Sequence, residues 1–339
     1  MILIIEDLSV DLGEFKLEDV SLNVKREDYV TIIGPTGSGK SILLETVAGF
    51  YKPQKGRILI DGRDVTTLPP EKRCVSIVYQ DYALFPHMSV FENIAYGLKK
   101  RTKDRREIEI AVRRIAESLR IEHILHRKPS TLSGGEQQRV AIARALVIEP
   151  KILLMDEPFS ALDVRTREEI RDLVKSTVKE YETTVLHVTH DFDDVFSLAN
   201  EVVVMKNGRI VQIGSPDDVF GRPFNDFVAD FVGTNVLDGI VVGKENGFTL
   251  VKVGDVILRS IDDAEIGEEV RISIRPENIV VSTEIGENVI PCSVVDVRRR
   301  FNSIWLTLEC GEMKLKAVTN FDPKREKVLV ALRGVRIVR

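Results

Sequence analysis

Cysteine is scarce in this chain of 339 residues, which holds Cys74, Cys292 and Cys310 and no others. The three are odd in number, far apart and without paired metal spacing, which excludes a disulfide-stapled scaffold and a zinc ribbon. We therefore expect free structural thiols in a reducing compartment and no disulfide. Long apolar runs are also lacking, and none approaches the roughly 20 residues that a bilayer-spanning helix needs. If the protein works at a membrane, another chain provides the span. The apolar start from Met1 to Ile5 is short, lacks a basic flank and meets Glu6-Asp7, so it reads as an edge strand and not a signal peptide. Basic excess is missing too. A net charge of -5 with dispersed Lys and Arg argues against nucleic acid as a partner. Low-complexity tracts and solenoid repeats are absent, and 43% hydrophobic with 30% charged residues fits a globular protein of two or more domains.

From Met1 to about Gly233, apolar strands alternate with amphipathic helices. Strands are expected at 29–33, 57–60, 76–79, 152–156 and 185–188, and helices after Lys40, over 107–119, after Gly135 and over 167–181. That order predicts an α/β core with parallel strands, doubly wound. Asn207-Gly208 between the apolar runs 201–205 and 209–213 is a hairpin signal. A change of pattern near Thr234-Asn235 places a boundary between a domain of residues 1–233 and one of residues 236–339. In the second, the runs 239–242, 249–253, 270–274, 292–297, 304–309, 314–318 and 327–332 read as strands of a small barrel or sandwich.

Gly34-Pro35-Thr36-Gly37-Ser38-Gly39-Lys40-Ser41 fits the phosphate-binding pattern G-x-x-x-x-G-K-[ST] without a mismatch, between an apolar strand and a helix. The glycines let successive N–H groups point inward, the helix N-terminus adds partial positive charge, Lys40 reaches the terminal phosphates, and Ser41 offers its hydroxyl to Mg²⁺. This is the chemistry of a nucleoside triphosphate site. The apolar strand 152–156 ends in Asp156-Glu157, whose side chains point to opposite sides. Alone, acids at a strand end are commonly turn formers. After a phosphate loop in the same chain, one carboxylate can hold Mg²⁺ and the next can activate water. In Leu132-Ser133-Gly134-Gly135-Glu136-Gln137-Gln138-Arg139, Ser133 and Glu136 have capping-box spacing. Two glycines are costly for a helix start, but sensible where a phosphate approaches the backbone.

On these three segments, residues 1 to about 232 resemble the ATP-binding-cassette ATPases. The resemblance implies ATP and Mg²⁺ as ligands, with Glu157 as the catalytic base. It implies that Gln80 contacts metal and water, that His190 in Thr189-His190-Asp191 contacts the terminal phosphate, and that Ser41, Gln80 and Asp156 surround the metal. Read without the family, His190 is one of five histidines and an ordinary strand-end residue. The family forms a homodimer around two ATP molecules, each phosphate loop facing Ser133, Gly134, Gly135 and Gln137 of the other copy, with Ser160 and Asp163 of Ser160-Ala161-Leu162-Asp163 crossing the interface. Where the family usually has an aromatic residue on adenine, this chain has Leu12, with Phe15 nearby. Weaker base selectivity, with comparable use of ATP and GTP, is the expectation. His123 and His126 are three residues apart with no third ligand in sight, and are not read as a metal site.

Gln80-Asp81-Tyr82-Ala83-Leu84-Phe85-Pro86-His87 resembles importer ATPases, in which a helical subdomain, here about 85–145, receives the membrane permease. Leu84 and Phe85 read either as that docking surface or as subdomain core. The second domain resembles the all-β OB/TOBE-like regulatory domain of importers for sugars, polyamines, iron and oxyanions. Within that group, Leu43-Leu44-Glu45, Leu68-Pro69-Pro70-Glu71-Lys72 and Ile121-Glu122-His123-Ile124-Leu125 resemble the archaeal molybdate/tungstate importer ATPases. The implied place is the cytoplasmic face of the cell membrane, with an external substrate-binding protein as an indirect partner. The alternatives are a sulfate, iron, polyamine or sugar importer, and a C-terminal domain that only dimerises. Ala317-Val318-Thr319-Asn320-Phe321-Asp322 is poor in Ser and basic residues for an oxyanion site, and Arg298-Arg299-Arg300 reads as a solvated turn.

Overall fold

A computed structural model describes residues 1–282, 286–299, 303–320 and 326–338. The chain forms two compact units, Met1–Ile213 and Gly214–Arg339.

In the first unit, β3 (Tyr29–Ile33), β6 (Val75–Val78), β7 (Ile152–Asp156), β8 (Thr184–Val188), β9 (Glu201–Lys206) and β10 (Arg209–Gly214) form a sheet in the order β10-β9-β3-β8-β7-β6. From β9 to β6 the pairings are parallel, and the expected Asn207-Gly208 turn joins β9 to β10 with both residues at positive φ. Its strands are continuous apolar runs because both faces are covered. Ile152 and Leu154 of β7 enter a core with Leu43, Leu44 and Val47 of α1 (Lys40–Ala48). Leu153 and Met155 enter another, with α4 (Gly134–Leu146) and α5 (Val164–Glu180). Helices α2 (Val90–Ala95) and α3 (Arg105–Ser118) pack into that second core, and α6 (Phe192–Leu198) follows β8.

A second sheet, β2-β1-β4-β5, is built from β1 (Leu3–Asp11), β2 (Lys16–Val24), β4 (Lys55–Ile60) and β5 (Arg63–Asp64). Strand β1 is not the edge strand expected from Met1 to Ile5: Leu3 pairs with Val24 on one side and Ile60 on the other. Its alternating Leu3, Ile5, Leu8 and Val10 are buried against the α1 side of the central sheet, which an edge position would not do. Strand β2 was not read in the sequence at all.

The division between the units falls at 213/214, ahead of the expected 234–235. Helices α7 (Pro216–Gly221) and α8 (Asp226–Val232) are too short to bury a face by themselves. They are tied into the second unit by Thr234 Oγ1 donating to Phe220 O at 2.6 Å, by Ser273 Oγ donating to Gly221 O, and by the Arg271–Asp226 ion pair. Apart from a 3-10 turn at Pro276–Asn278, the regular structure among that unit's described residues is otherwise antiparallel β. One sheet, β13-β12-β11-β14-β20, comprises β11 (Asn235–Glu245), β12 (Phe248–Val253), β13 (Val256–Ser260), β14 (Glu269–Ile274) and β20 (Arg336–Val338). The other, β15-β19-β16-β17-β18, comprises β15 (Ile279–Ser282), β16 (Val289–Arg299), β17 (Ile304–Cys310), β18 (Met313–Thr319) and β19 (Lys327–Leu332). Residues of both sheets, such as Val251, Ile272, Leu308 and Val330, share one core. The seven expected strands are present; β13, β15 and β20 are additional.

Two expectations fail here. Cys292 and Cys310 form a disulfide, against the expectation of three free thiols. The register that pairs Ser293 with Glu309 sets the two cysteines opposite each other across β16 and β17, with Cα atoms 4.2 Å apart. Cys74 is free and exposed. Arg298 and Arg299 lie in β16, paired with Trp305 and Ile304, and not in a turn. Arg300, and Phe321 and Asp322 of the other loop singled out above, lie outside the described residues.

Candidate nucleotide site

Strand register brings the candidate residues to one edge. Val78 is level with Met155, Asp156 with Val188, and Val188 with Ile32. The segments leaving these strands carry Gln80, Glu157, His190 and Gly34, so all four emerge at the carboxyl ends of adjacent parallel strands. Open α/β sheets bind ligands in that crevice.

The phosphate loop hangs between β3, every residue of which is buried, and α1. Gly39 caps α1 at φ +99°, and a Cβ there would lie 2.7 Å from Phe15 Cζ and 2.8 Å from Leu17 Cδ2. Phe15 is half-buried, packed against the core beneath the loop and beside Gly39. Leu12 stands 41% exposed in the turn between β1 and β2, where Leu12 N donates to Phe15 O at 2.9 Å. No side chain caps α1, and its first turn carries no acid. Lys40 Nζ donates to Gly34 O at 2.8 Å and Pro35 O at 2.9 Å. Burial lowers the Lys40 pKa, opposed by Glu157 and Asp156. Ser38 is buried with Oγ unpartnered among the described residues. Pro35, Thr36 and Gly37 are exposed. The Asp156 pKa is raised, chiefly by burial and further by Glu157, while Ser41 and Lys40 oppose the shift.

Glu157 takes a left-handed φ of +46°, uncommon for a residue with a side chain, and its N–H donates to Val188 O at 2.9 Å. Such strain concentrates at functional sites. Its Oε2 is 3.3 Å from Nδ1 of the exposed His190. Ser160 Oγ donates to Glu157 O at 2.9 Å, and Asp163 caps α5 by accepting from Thr166 N at 3.1 Å. Gln80 is exposed.

Behind His190 lies a layer that the sequence reading missed. His187 is fully buried on β8, with Nδ1 3.1 Å from Tyr29 Oη and its ring edge-on to Phe159 at 5.3 Å. Burial lowers its pKa to about 4. Arg171 donates twice to Asp194 Oδ1, at 2.8 and 2.6 Å, and Thr189 Oγ1 donates to Asp194 Oδ2 at 2.6 Å. The available signal was Arg167 and Arg171, one turn apart on α5, facing Asp191 and Asp194.

The segment at α4 is a complete capping box: Ser133 accepts from Glu136 N at 3.3 Å, and Glu136 accepts from Ser133 N at 2.7 Å. Gln137 Nε2 donates to Pro129 O and Leu132 O. The two glycines differ. A Cβ on Gly135 would lie 2.8 Å from Thr166 Cγ2 and 3.2 Å from Ile170 Cδ1, so close helix packing accounts for that glycine without a phosphate. At exposed Gly134 the nearest atoms are 3.7 Å away, and packing does not require glycine. Leu84 and Phe85 are half-buried. Leu84 packs on the helical core, and Phe85 meets Tyr96 at a tilt of 45°, ring centres 4.6 Å apart, beneath Arg144.

A family profile described as "ABC transporter" matches residues 17–160. The molybdate/tungstate import ATP-binding protein WtpC of Pyrococcus horikoshii is 47% identical over 318 residues, covering 92% of this chain and 90% of that protein. The spermidine/putrescine import ATP-binding protein PotA of Oleidesulfovibrio alaskensis is 41% identical over 271 residues, covering 78% and 72%. Among solved structures, the ATP-binding cassette MJ0796, a dimer in a post-hydrolysis state bound to ADP and Pi, superposes with a TM-score of 0.57 at 31% identity, over 63% of this chain and 98% of that one.

Proposed function

The chain belongs to the ATP-binding proteins of ABC transporters, and from that membership we infer that it is the ATP-hydrolysing subunit of an importer of molybdate or tungstate. The observation that carries the ATPase reading is the meeting of phosphate loop, Asp156-Glu157, Gln80 and His190 at one sheet edge. The cargo reading is supported by the likeness to WtpC over nearly the whole chain. The likeness to PotA keeps a polyamine importer as the second reading.

The backbone of Gly34 to Gly39 and the uncapped start of α1 hold the phosphates, with buried Ser38 Oγ as a further donor. Lys40, now bonded to the loop's own carbonyls, turns to the terminal phosphates, and Leu12 covers the base by apolar contact. Ser41, Asp156 and Gln80 form an oxygen-donor set that suits Mg²⁺. Bound there, Mg²⁺ would neutralise charge developing on the phosphate oxygens. Glu157, fixed by its backbone bond to β8, takes the proton of the attacking water, and His190 holds the terminal phosphate in line.

The working form is a homodimer in which Ser133, Gly134, Gly135 and Gln137 meet the nucleotide of the other copy, with Ser160 and Asp163 at the interface. The dimeric state of MJ0796 supports this. The likeness to import ATP-binding proteins supports permease subunits as the path and a place on the cytoplasmic face; no helix among the described residues is long and apolar enough to cross a membrane. Cargo reaches the permease from an external binding protein, and the C-terminal unit dimerises or binds the oxyanion as an inhibitor. The test is Glu157→Gln: it should retain ATP binding, lower turnover about 10²–10⁴-fold, and abolish cellular tungstate uptake. Normal turnover would remove Glu157 as the base; normal tungstate uptake with turnover lost would remove the cargo assignment.

A further inference from the structure

We propose that Arg167 is a positioning residue for ATP hydrolysis that ties the interface segment Ser160–Asp163 to His190. The inference rests on the ATPase reading above. Arg167 lies one turn into α5, whose cap is Asp163, and its own N–H donates to Asp163 O at 2.9 Å. Its guanidinium reaches two places at once: Nη2 donates to Leu162 O at 3.0 Å, and Nη1 bonds Asp191 Oδ2 at 2.5 Å. Asp191 follows His190 directly. Its other oxygen, Oδ1, accepts from Asp193 N at 2.9 Å, so both carboxylate oxygens are committed and the residue is held at the start of α6.

These contacts close a circuit. Glu157 O accepts from Ser160 Oγ, the segment from Ser160 leads to Leu162, Arg167 joins Leu162 to Asp191, and His190 returns to within 3.3 Å of Glu157. The cavity inside is only about 10 Å³ and is lined by Glu157, Ser160, Arg167 and His190 among others. That leaves room for about one water, beside the buried and unpartnered Arg167 Nε. Arg171 and Asp194 brace the far side of the loop, so displacement of residues 160–163 passes through Arg167 to Asp191 more readily than it is absorbed behind it. A second copy seated on that segment would thus set His190 for both active sites. Lysine, a single donor centre on a flexible stem in place of a rigid fork, would hold Leu162 O and Asp191 together less firmly.

The experiment compares steady-state ATPase kinetics of the full chain with Arg167→Ala, Arg167→Lys and Asp191→Asn, each also in a His190→Ala background. Expected are a kcat lowered about tenfold or more by Arg167→Ala and Asp191→Asn, a KM for ATP changed less than twofold, an intermediate kcat for Arg167→Lys, and less than a twofold further loss when Arg167→Ala joins His190→Ala. Unchanged kcat, a rise in KM that accounts for the loss, or the same tenfold loss in both backgrounds would overturn the proposal. If Arg167→Ala lowers the melting temperature too far to assay, Arg167→Lys and Asp191→Asn carry the same comparison. Absence of turnover in the wild-type chain would refute the ATPase reading instead.

Discussion

Burial of His187 should make the first unit acid-sensitive in a measurable way. In the unfolded chain this imidazole titrates near its ordinary 6.5, whereas in the fold burial lowers it to about 4. Between those values the unfolded state binds more protons, so stability falls as pH drops from about 6.5 to about 4 and is restored above that window. At 1.36 kcal/mol per pH unit, a gap of about 2.5 units places roughly 2.5 kcal/mol of this linkage between pH 7.5 and pH 4.5. His187→Gln removes the titration while leaving a polar group beside Tyr29 Oη. The assay is urea unfolding followed by helix ellipticity, which reports mainly the first unit, where the longer helices lie. Wild type should lose about 2.5 kcal/mol more than His187→Gln between the two pH values. Parallel losses would show that His187 is not held neutral, and would refute the burial argument.

The glycines of α4 should separate by assay. Gly135→Ala should cost about 1–3 kcal/mol of stability through its clash with Thr166 and Ile170; a Gly135→Ala protein as stable as wild type would contradict the packing account. Gly134→Ala should leave the melting temperature unchanged or slightly raised yet depress ATPase activity, and full activity would exclude close phosphate approach there. With Phe15 held against Gly39 and only Leu12 exposed for base contact, KM values for ATP and GTP should be comparable; a strong preference for ATP would show another residue over the base. Closing an 18-residue separation, the Cys292–Cys310 bridge should contribute about 3 kcal/mol to the second unit. Cys310→Ser should shift its unfolding accordingly, followed by fluorescence of the chain's one tryptophan, Trp305, and an unshifted transition would mean that the thiols are reduced in solution.

What could be read from the chain was what is local. The phosphate loop was legible because six residues of backbone geometry are written in consecutive letters, and strand β7 because four apolar residues followed by two acids do not read as a surface segment. Ser133 and Glu136 announced the start of α4 for the same reason. Strand β1 was misplaced because its partner β4 comes some fifty residues later, and nothing in Met1 to Ile5 states that a second strand will lie on its far side. The disulfide failed likewise: whether two cysteines meet depends on whether β16 and β17 pair with Ser293 against Glu309 or one residue out of step, and a single slip would point them to opposite faces.

The same distinction separates the residues proposed to touch nucleotide from those proposed to aim them. Glu157 was legible from its place after an apolar strand, whereas Gln80 and His190 were legible only through the resemblance to the cassette ATPases. Arg167, Arg171, Asp191 and Asp194 look in sequence like solvated charge on two helices. They become a network only because α5 and α6 lie side by side, with Arg171 and Asp194 almost wholly buried. Burial of such a pair is weak support for stability, since desolvation offsets much of the attraction. Its physical effect is on geometry: two guanidinium N–H groups hold Oδ1 of Asp194 while Oδ2 accepts from Thr189, the residue before His190. A hydrophobic pair of equal volume would support the fold as well while leaving His190 free to wander. The charges behind the loop are therefore best explained by the precision that in-line phosphoryl transfer demands of the residues in front of it.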